Sequence, residues 1–272
     1  MARTRPAWRR RTAVAGAALA ALAVAGAAGA GGDGAEAAPI VLREGFDSRA
    51  EWASRLSRSN DRTDAHAAIV SAPGRTGRAL RVTYPSGEYG GGAGVQFALR
   101  LRPRNDLYLR YRVRFDRRFD FVRAGKLPGL AGGDANSGGD IPNGRDGWSG
   151  RLQWLSGGRV ENYMYLPTSE DFGSHFRWRR ARLERGEWNC LEMRYRLNRP
   201  GRSDGRIQSW IGGRRVLDRG GLRFRNTGSL RIDQVFFSTF FGGNDDDYAP
   251  GRRQVAWFDD LAVSTGRIGC RR

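Results

Sequence analysis

Apolar and polar side chains alternate along many short segments of this chain. In one segment, Leu107, Leu109, Tyr111, Val113 and Phe115 are apolar, and the polar residues Arg110, Arg112 and Arg114 lie between them. Alternation with a period of two is typical of a strand that buries one face. The same pattern predicts further strands over Ala79–Tyr84, Gly94–Leu101, Gly150–Leu155, Glu161–Leu166, Leu191–Leu197, Arg206–Ile211, Gln234–Phe241 and Val255–Ser264.

Turn residues separate these segments. Gly, Pro, Asn and Asp stand between the strands, and the sequence shows no long helical period and no internal repeat. Many short alternating strands with glycine-rich turns predict an all-β fold, a concanavalin-like β-jelly-roll sandwich of two antiparallel sheets. One sheet of such a sandwich usually curves, and we expect its concave face to form a cleft for a long polymer.

The first 37 residues have the composition of a secretory signal peptide. Five arginines precede residue 12, and a run of small apolar residues follows as far as Ala30. Ala35-Glu36-Ala37 fits a cleavage site, with 28–30 as the alternative. We therefore expect residues 1–37 to be removed and residues 38–272 to form one exported domain. The domain is expected to be a monomer with no membrane attachment after cleavage.

The charge of the chain indicates the class of its binding partner, and its cysteine content indicates a disulfide. The formal net charge is +19, which favours a polyanion. For an exported chain an acidic polysaccharide fits better than nucleic acid, for which the sequence has no motif. Cys190 and Cys270 are the only cysteines, and in an exported protein we expect them to pair.

Lysine occurs once, at Lys126, in a chain with 47 Lys and Arg residues together. Arginine holds anions well, but only lysine can release a proton near neutral pH when it is buried. Lys126 lies at the start of a glycine-rich stretch, Leu127–Trp148, which departs from the strand pattern. We interpret this stretch as a long functional loop.

Two neighbouring strands carry polar residues on one face each. Ser149, Arg151 and Gln153 share a face of the first strand. Glu161, Tyr163 and Tyr165 share a face of the second. A connecting turn with an odd number of residues sets Arg151 opposite one of the tyrosines, on the same face of the sheet. An even number places the tyrosines behind the sheet.

If these side chains share a face with Lys126, they suit β-elimination from a uronic acid. The planar fork of arginine binds a carboxylate and stabilises the enolate-like anion that forms when the C5 proton leaves. Tyrosine and lysine can act as the base and the acid. A neighbouring arginine favours neutral lysine and ionised tyrosine.

These segments resemble polysaccharide lyase family 14, the alginate-lyase-like family, over roughly Ala93 to Ser264. The resemblance rests on Lys-Leu-Pro-Gly after Gly125, Ser-x-Arg, Tyr-x-Tyr, and the last strands. The resemblance implies a β-jelly roll and a lyase of an acidic polysaccharide such as alginate or glucuronan, without fixing which polymer. Together with the signal peptide it leads us to expect a secreted enzyme, and we expect no cofactor or metal. By the same resemblance, the catalytic positions fall on Lys126, Arg151, Tyr163 and Tyr165, with Ser149 beside them.

The sequence also allows further substrate contacts and other functions for the same face. Gln153 and His175, the latter in a predicted loop, are candidate substrate contacts with Ser149. A non-catalytic carbohydrate-binding module needs an aromatic platform but no such set of polar groups. A glycoside hydrolase needs two opposed carboxylates, and the candidate face offers mainly Glu161. A calcium site that includes Glu44 and Asp259 or Asp260 is a further alternative, as is a cation at Asn244–Tyr248.

Overall fold

Strands dominate the described part of the chain, residues 9–10, 39–60 and 62–270 of a computed structural model. Apart from Arg9 and Arg10, the predicted signal peptide lies outside the described residues. The two short helices are α1 (Arg49–Arg55) and α2 (Thr63–His66). The strands are β1 (Arg9–Arg10), β2 (Ile40–Glu44), β3 (Leu56–Ser59), β4 (Ala67–Ser71), β5 (Arg78–Tyr84), β6 (Val95–Arg104), β7 (Asp106–Phe115), β8 (Ala124–Gly133), β9 (Gly147–Leu155), β10 (Arg159–Tyr165), β11 (Ser174–Arg182), β12 (Trp188–Arg196), β13 (Gly205–Ile211), β14 (Arg214–Leu222), β15 (Ile232–Phe241) and β16 (Gln254–Ser264).

The strands form two antiparallel sheets. The front sheet has the order β1-β3-β6-β15-β8-β9-β10-β11, and the back sheet has the order β14-β13-β12-β7-β16-β5-β4, with β2 also paired to β16. Strands that are neighbours in a sheet are often far apart in the chain, as β15 and β8 are. This is the predicted jelly-roll sandwich.

The predicted alternation explains how the two sheets pack. On β7, Leu109 and Val113 are fully buried, whereas Arg112 on the other face is partly exposed. Aromatic rings from both sheets meet in the interior: the ring of Trp154 on β9 lies 6.0 Å from that of Phe115 on β7. The polar face of each strand therefore lies on the outside of the sandwich.

The structure corrects the predicted glycine-rich loop. Residues as far as Gly133 belong to β8, and only 134–146 form a loop. Glycine has a low strand propensity, which is why the alternation is hidden here. At Gly129 the absence of a side chain is required, because a Cβ there would lie 1.8 Å from the carbonyl oxygen of Gly150 on β9.

A disulfide fixes the C-terminal tail against the back sheet. Cys190 on β12 is bonded to Cys270, as predicted, with 6.0 Å between their Cα atoms. The fully buried carboxylate of Glu192 accepts hydrogen bonds from the backbone nitrogens of Ile268 (2.7 Å) and Gly269 (3.1 Å). No helix within the described ranges is long and apolar enough to cross a bilayer.

Candidate active site

The candidate site begins with the pairing of β9 and β10. Their three-residue connection, Ser156–Gly158, has the odd length that the prediction required. The register sets Arg151 opposite Tyr163 and Ser149 opposite Tyr165. All four of these side chains therefore lie on the outer face of the front sheet.

The opposite side of these strands packs into the sandwich, as predicted. Leu152, Trp154, Met164 and Leu166 all belong to the hydrophobic core and are at most 1 % exposed. The core thus fixes the strands on which the polar groups stand. A polar site on packed strands is held more firmly than one on a loop.

Lys126 reaches the same face from β8, not from a loop. It pairs with Gln153 on β9, and its Nζ donates a hydrogen bond to Gln153 Oε1. A second, longer hydrogen bond of 3.4 Å goes to the carbonyl oxygen of Gly242. Nζ lies 4.3 Å from the centre of the Tyr163 ring, so the amine and the phenol are neighbours.

Arg151 lies at the centre of the site and is only 2 % exposed. Its guanidinium carbon lies 5.0 Å from the ring centre of Phe236 and 5.7 Å from that of Tyr163. Nη1 donates to the hydroxyl of Ser238 (3.1 Å), whereas Nε has no hydrogen-bond partner among the described residues. A buried donor without a partner is costly, so this geometry suits an incoming anion.

Burial changes the proton affinity of the amine. The pKa of Lys126 falls to about 7, first because burial disfavours the charged ammonium and second because the Arg151 guanidinium is nearby. The Glu161 carboxylate acts in the opposite direction. A large fraction of Lys126 is consequently a neutral amine near pH 7, able to accept a proton.

Burial acts differently on the phenol. The Tyr163 and Tyr165 hydroxyls lie 3.4 Å apart, and the backbone nitrogen of Gly139 donates to the Tyr165 hydroxyl (2.9 Å). Burial, reinforced by Tyr165, raises the pKa of Tyr163 far above its usual value, and Arg151 offsets this only in part. Arg151 therefore acts on Tyr163 in the predicted direction, but burial outweighs it and Tyr163 stays protonated.

The three predicted substrate contacts have different surroundings. Ser149 is fully buried, and its hydroxyl donates to the Asn136 carbonyl (2.6 Å). Gln153 is also buried and lies between Lys126 and a carboxylate on β10. His175 belongs to β11, not to the predicted loop; its side chain is half exposed and its ring centre lies 4.9 Å from that of Tyr163.

Sequence reasoning placed Glu161 on this face without giving it a role, and it missed Ser238. Glu161, 1 % exposed, accepts hydrogen bonds from Gln153 Nε2 (2.8 Å) and His175 Nδ1 (2.6 Å). Ser238, on β15, holds Arg151. Glu161 shares the face of Tyr163 and Tyr165 by simple alternation, so the signal was present. The contact with Ser238 depends on the pairing of β15 with β8, which one sequence does not reveal.

The acidic groups considered as cation ligands bond to arginine or to backbone nitrogen. Within the described residues no group of three or more His, Cys, Asp or Glu side chains is arranged to hold a metal. Glu44 binds the backbone nitrogen of Phe46 and the side chain of Arg55. In the acidic loop, both Asp245 and Asp247 lie beside Arg123.

The front sheet of the sandwich thus brings together an amine of lowered pKa, a protonated phenol and a buried guanidinium. The model of the family Polysaccharide lyase 14 matches residues 72–261. The chain therefore belongs to polysaccharide lyase family 14 and is a lyase. A comparison with curated proteins finds no match.

Solved structures show the same fold. The PL-14 alginate lyase of Aplysia kurodai is 28 % identical, with a TM-score of 0.67, and the match covers 75 % of this chain and 88 % of that one. A mutant of alginate lyase Aly36B in complex with an alginate tetrasaccharide is 23 % identical (TM-score 0.73; 86 % and 100 % covered). The endo-β-1,4-glucuronan lyase of the fungus Trichoderma reesei is 11 % identical (TM-score 0.58; 84 % and 96 % covered).

Proposed function

We propose that this protein is an exported lyase that cleaves a uronate-containing polysaccharide by β-elimination. The observation that carries the proposal is the buried guanidinium of Arg151, whose Nε has no partner among the described residues. Lys126 and Tyr163 lie beside it. A uronate carboxylate supplies the counter-charge that the Arg151 guanidinium does not receive from the described residues.

In the proposed reaction each group has a different task. Arg151 binds the uronate carboxylate and stabilises the negative charge that develops on it. The neutral amine of Lys126 takes the C5 proton, and the electrons of the C5–H bond form the C4=C5 double bond. The C4–O4 bond breaks and its electron pair remains on O4, which receives the proton of the Tyr163 hydroxyl.

The remaining site residues support these three. Tyr165 contacts the Tyr163 hydroxyl and so helps to hold the acid in place. Ser149, on the neighbouring strand, anchors the loop at Asn136. His175 offers an exposed ring at the edge of the site and is a candidate contact for a neighbouring sugar.

Several features support an acidic polymer as the substrate. The whole chain carries a formal charge of +19, and counter-charge attracts a polyanion to the surface. The structural neighbours include alginate lyases and a glucuronan lyase, one of them in complex with an alginate tetrasaccharide. Export rests on the signal-like residues 1–37 and agrees with a disulfide.

The test is incubation of the purified protein with alginate, polyglucuronate and hyaluronan, followed by the ultraviolet absorbance of an unsaturated uronate end. We expect absorbance to rise with at least one of the three polymers. A neutral glucan serves as the negative control. Binding of these polymers without any unsaturated product contradicts the proposal and indicates a carbohydrate-binding protein instead.

A further inference from the structure

A chain of hydrogen bonds runs across four adjacent strands beside the proposed base. Lys126 Nζ on β8 donates to Gln153 Oε1 on β9. Gln153 Nε2 donates to Glu161 Oε1 on β10 (2.8 Å). His175 Nδ1 on β11 lies 2.6 Å from the same Glu161 oxygen. An ionised carboxylate only accepts, so His175 donates to it.

The carboxylate decides which way the amide of Gln153 points. An amide has a donor group at one end and an acceptor oxygen at the other. Because the Glu161 carboxylate only accepts, the NH₂ group of Gln153 must face it. The oxygen of Gln153 therefore faces Lys126, where it can accept a hydrogen bond but cannot donate one.

This orientation matters for the lone pair of the amine. A neutral amine has two N–H donors and a single lone pair, and only the lone pair can accept a proton from the substrate. Facing the Gln153 oxygen, Lys126 uses an N–H. If the amide were reversed, its NH₂ group would donate to the lone pair and occupy it. Glu161 thus keeps the lone pair of Lys126 free.

The burial of Glu161 points to the same role. Its side chain is 1 % exposed, and burying a carboxylate is unfavourable unless partners compensate for the lost hydration. Its partners are Gln153, His175 and the more distant Arg177, whose Nε lies 3.8 Å away. A neutral glutamine would fill the same space at a lower desolvation cost, so stability alone does not explain a carboxylate here.

We propose that Glu161 is a positioning residue of this enzyme: held by His175, it orients the amide of Gln153 so that the amine of Lys126 presents its lone pair to the substrate. The inference rests on the proposed function, because it takes Lys126 as the base. Glu161 does not touch the substrate in this scheme.

The decisive variant is Glu161→Gln, which keeps the size of the side chain. We expect kcat to fall by about tenfold to a hundredfold, as for a misplaced catalytic group, with KM changed less than about twofold. Glu192→Gln is the matched control, because Glu192 is a second fully buried carboxylate but lies on the back sheet. It should leave kcat near the wild-type value.

The route through Gln153 has its own test. If Glu161 acts through that amide, Gln153→Ala should lower kcat by a similar factor, and the double variant should be no slower than Gln153→Ala alone. Losses that multiply in the double variant would overturn the proposal. So would an unchanged kcat for Glu161→Gln.

A readout that does not require turnover separates this inference from the proposed function. Lys126 is the only lysine, so isotope-labelled lysine gives one side-chain NMR signal to titrate. The titratable groups that face Lys126 are Arg151 on β9, and Glu161 and Tyr163 on β10. From the end of β15, the carbonyl oxygen of Gly242 accepts a hydrogen bond from Lys126. Loss of the Glu161 charge should lower the pKa of Lys126 further. A titration that does not move in Glu161→Gln refutes the link even if no substrate is found, whereas absence of product from wild-type protein refutes the proposed function.

Discussion

Two arginines, one on the outer face of each sheet, lie over aromatic rings but differ in what holds their charge. Arg194 on the back sheet lies 5.2 Å from the ring centre of Tyr108 and donates to both carboxylate oxygens of Asp106, at 2.8 and 2.6 Å. Arg151 on the front sheet lies over Phe236 and Tyr163 and donates to a hydroxyl. It forms no ion pair with a carboxylate of the described residues.

The pKa values of the two arginines are shifted in opposite directions from the ordinary value. The hydrogen bonds that Arg194 donates to Asp106 raise the pKa of Arg194, whereas burial lowers the pKa of Arg151. The back sheet supplies the counter-charge from its own chain, and its arginine is structural. The front sheet buries the Arg151 guanidinium without pairing it to a carboxylate, which is unfavourable until a substrate supplies a carboxylate. This difference, more than the number of arginines, distinguishes the candidate active site from the back sheet.

The largest effect is expected from Lys126→Arg. The charge remains, but arginine has no neutral form near pH 7 that could take a proton. Turnover of the polyuronate, measured by ultraviolet absorbance, should fall by about a thousandfold. Arg194→Lys is the matched exchange on the back sheet and should retain activity. If Lys126→Arg remains active within about tenfold, Lys126 is not the base.

Arg151→Ala should lower kcat/KM by about a hundredfold or more, with a decrease in kcat as well as in affinity. Arg194→Ala removes an arginine that also lies over an aromatic ring but is partly exposed and paired with a carboxylate. It should leave kcat/KM within about twofold while lowering the melting temperature slightly. The comparison between the sheets fails if the two variants lose activity equally. A change confined to KM would make Arg151 a simple substrate contact.

The pH dependence should follow the amine of Lys126. Its pKa is lowered to about 7, and below that pH the amine is protonated and has no lone pair. We therefore expect log kcat/KM to rise with pH through about 7 and to fall by about one unit per pH unit on the acid side. A rate that is flat between pH 5.5 and 8.5, about three units around neutrality, would contradict a lysine base.

Removing the disulfide should have the smallest effect on activity. Cys190 and Cys270 are 80 residues apart in sequence and lie on the back sheet side. Replacing both with serine should destabilise the fold by about 2–4 kcal/mol, seen as a lower melting temperature. Activity at 25 °C, where the fold persists, should remain close to that of the wild type. A large loss of activity in folded protein would show that the back sheet shapes the site.

The division of β9 and β10 into a core face and a polar face could be predicted from the sequence alone. It follows from alternation: Leu152 and Met164 go inside, so Arg151 and Tyr163 go outside. The turn length then decides whether the faces match, and three residues at Ser156–Gly158 do so.

Other features depend on contacts between distant segments. Alternation did not reveal the strand that carries Lys126, because glycines interrupt the pattern. At Gly129 a side chain is excluded because the backbone of β9 occupies that space. The state of Tyr163 depends on its depth of burial, which outweighs the neighbouring Arg151. The link from His175 to Glu161 depends on β11 pairing with β10, which alternation alone does not specify.

The most direct test of the account is the binding of a uronate oligosaccharide to protein that cannot turn it over. In a Lys126→Ala background, isothermal titration calorimetry would compare Arg151→Ala with Arg194→Ala. We predict that Arg151→Ala weakens binding by about tenfold to a hundredfold, the value of a charged hydrogen-bonded contact, and that Arg194→Ala leaves it unchanged. Unchanged binding in Arg151→Ala, or an equal loss in Arg194→Ala, would contradict the claim that the front-sheet arginine is the one that binds the substrate carboxylate.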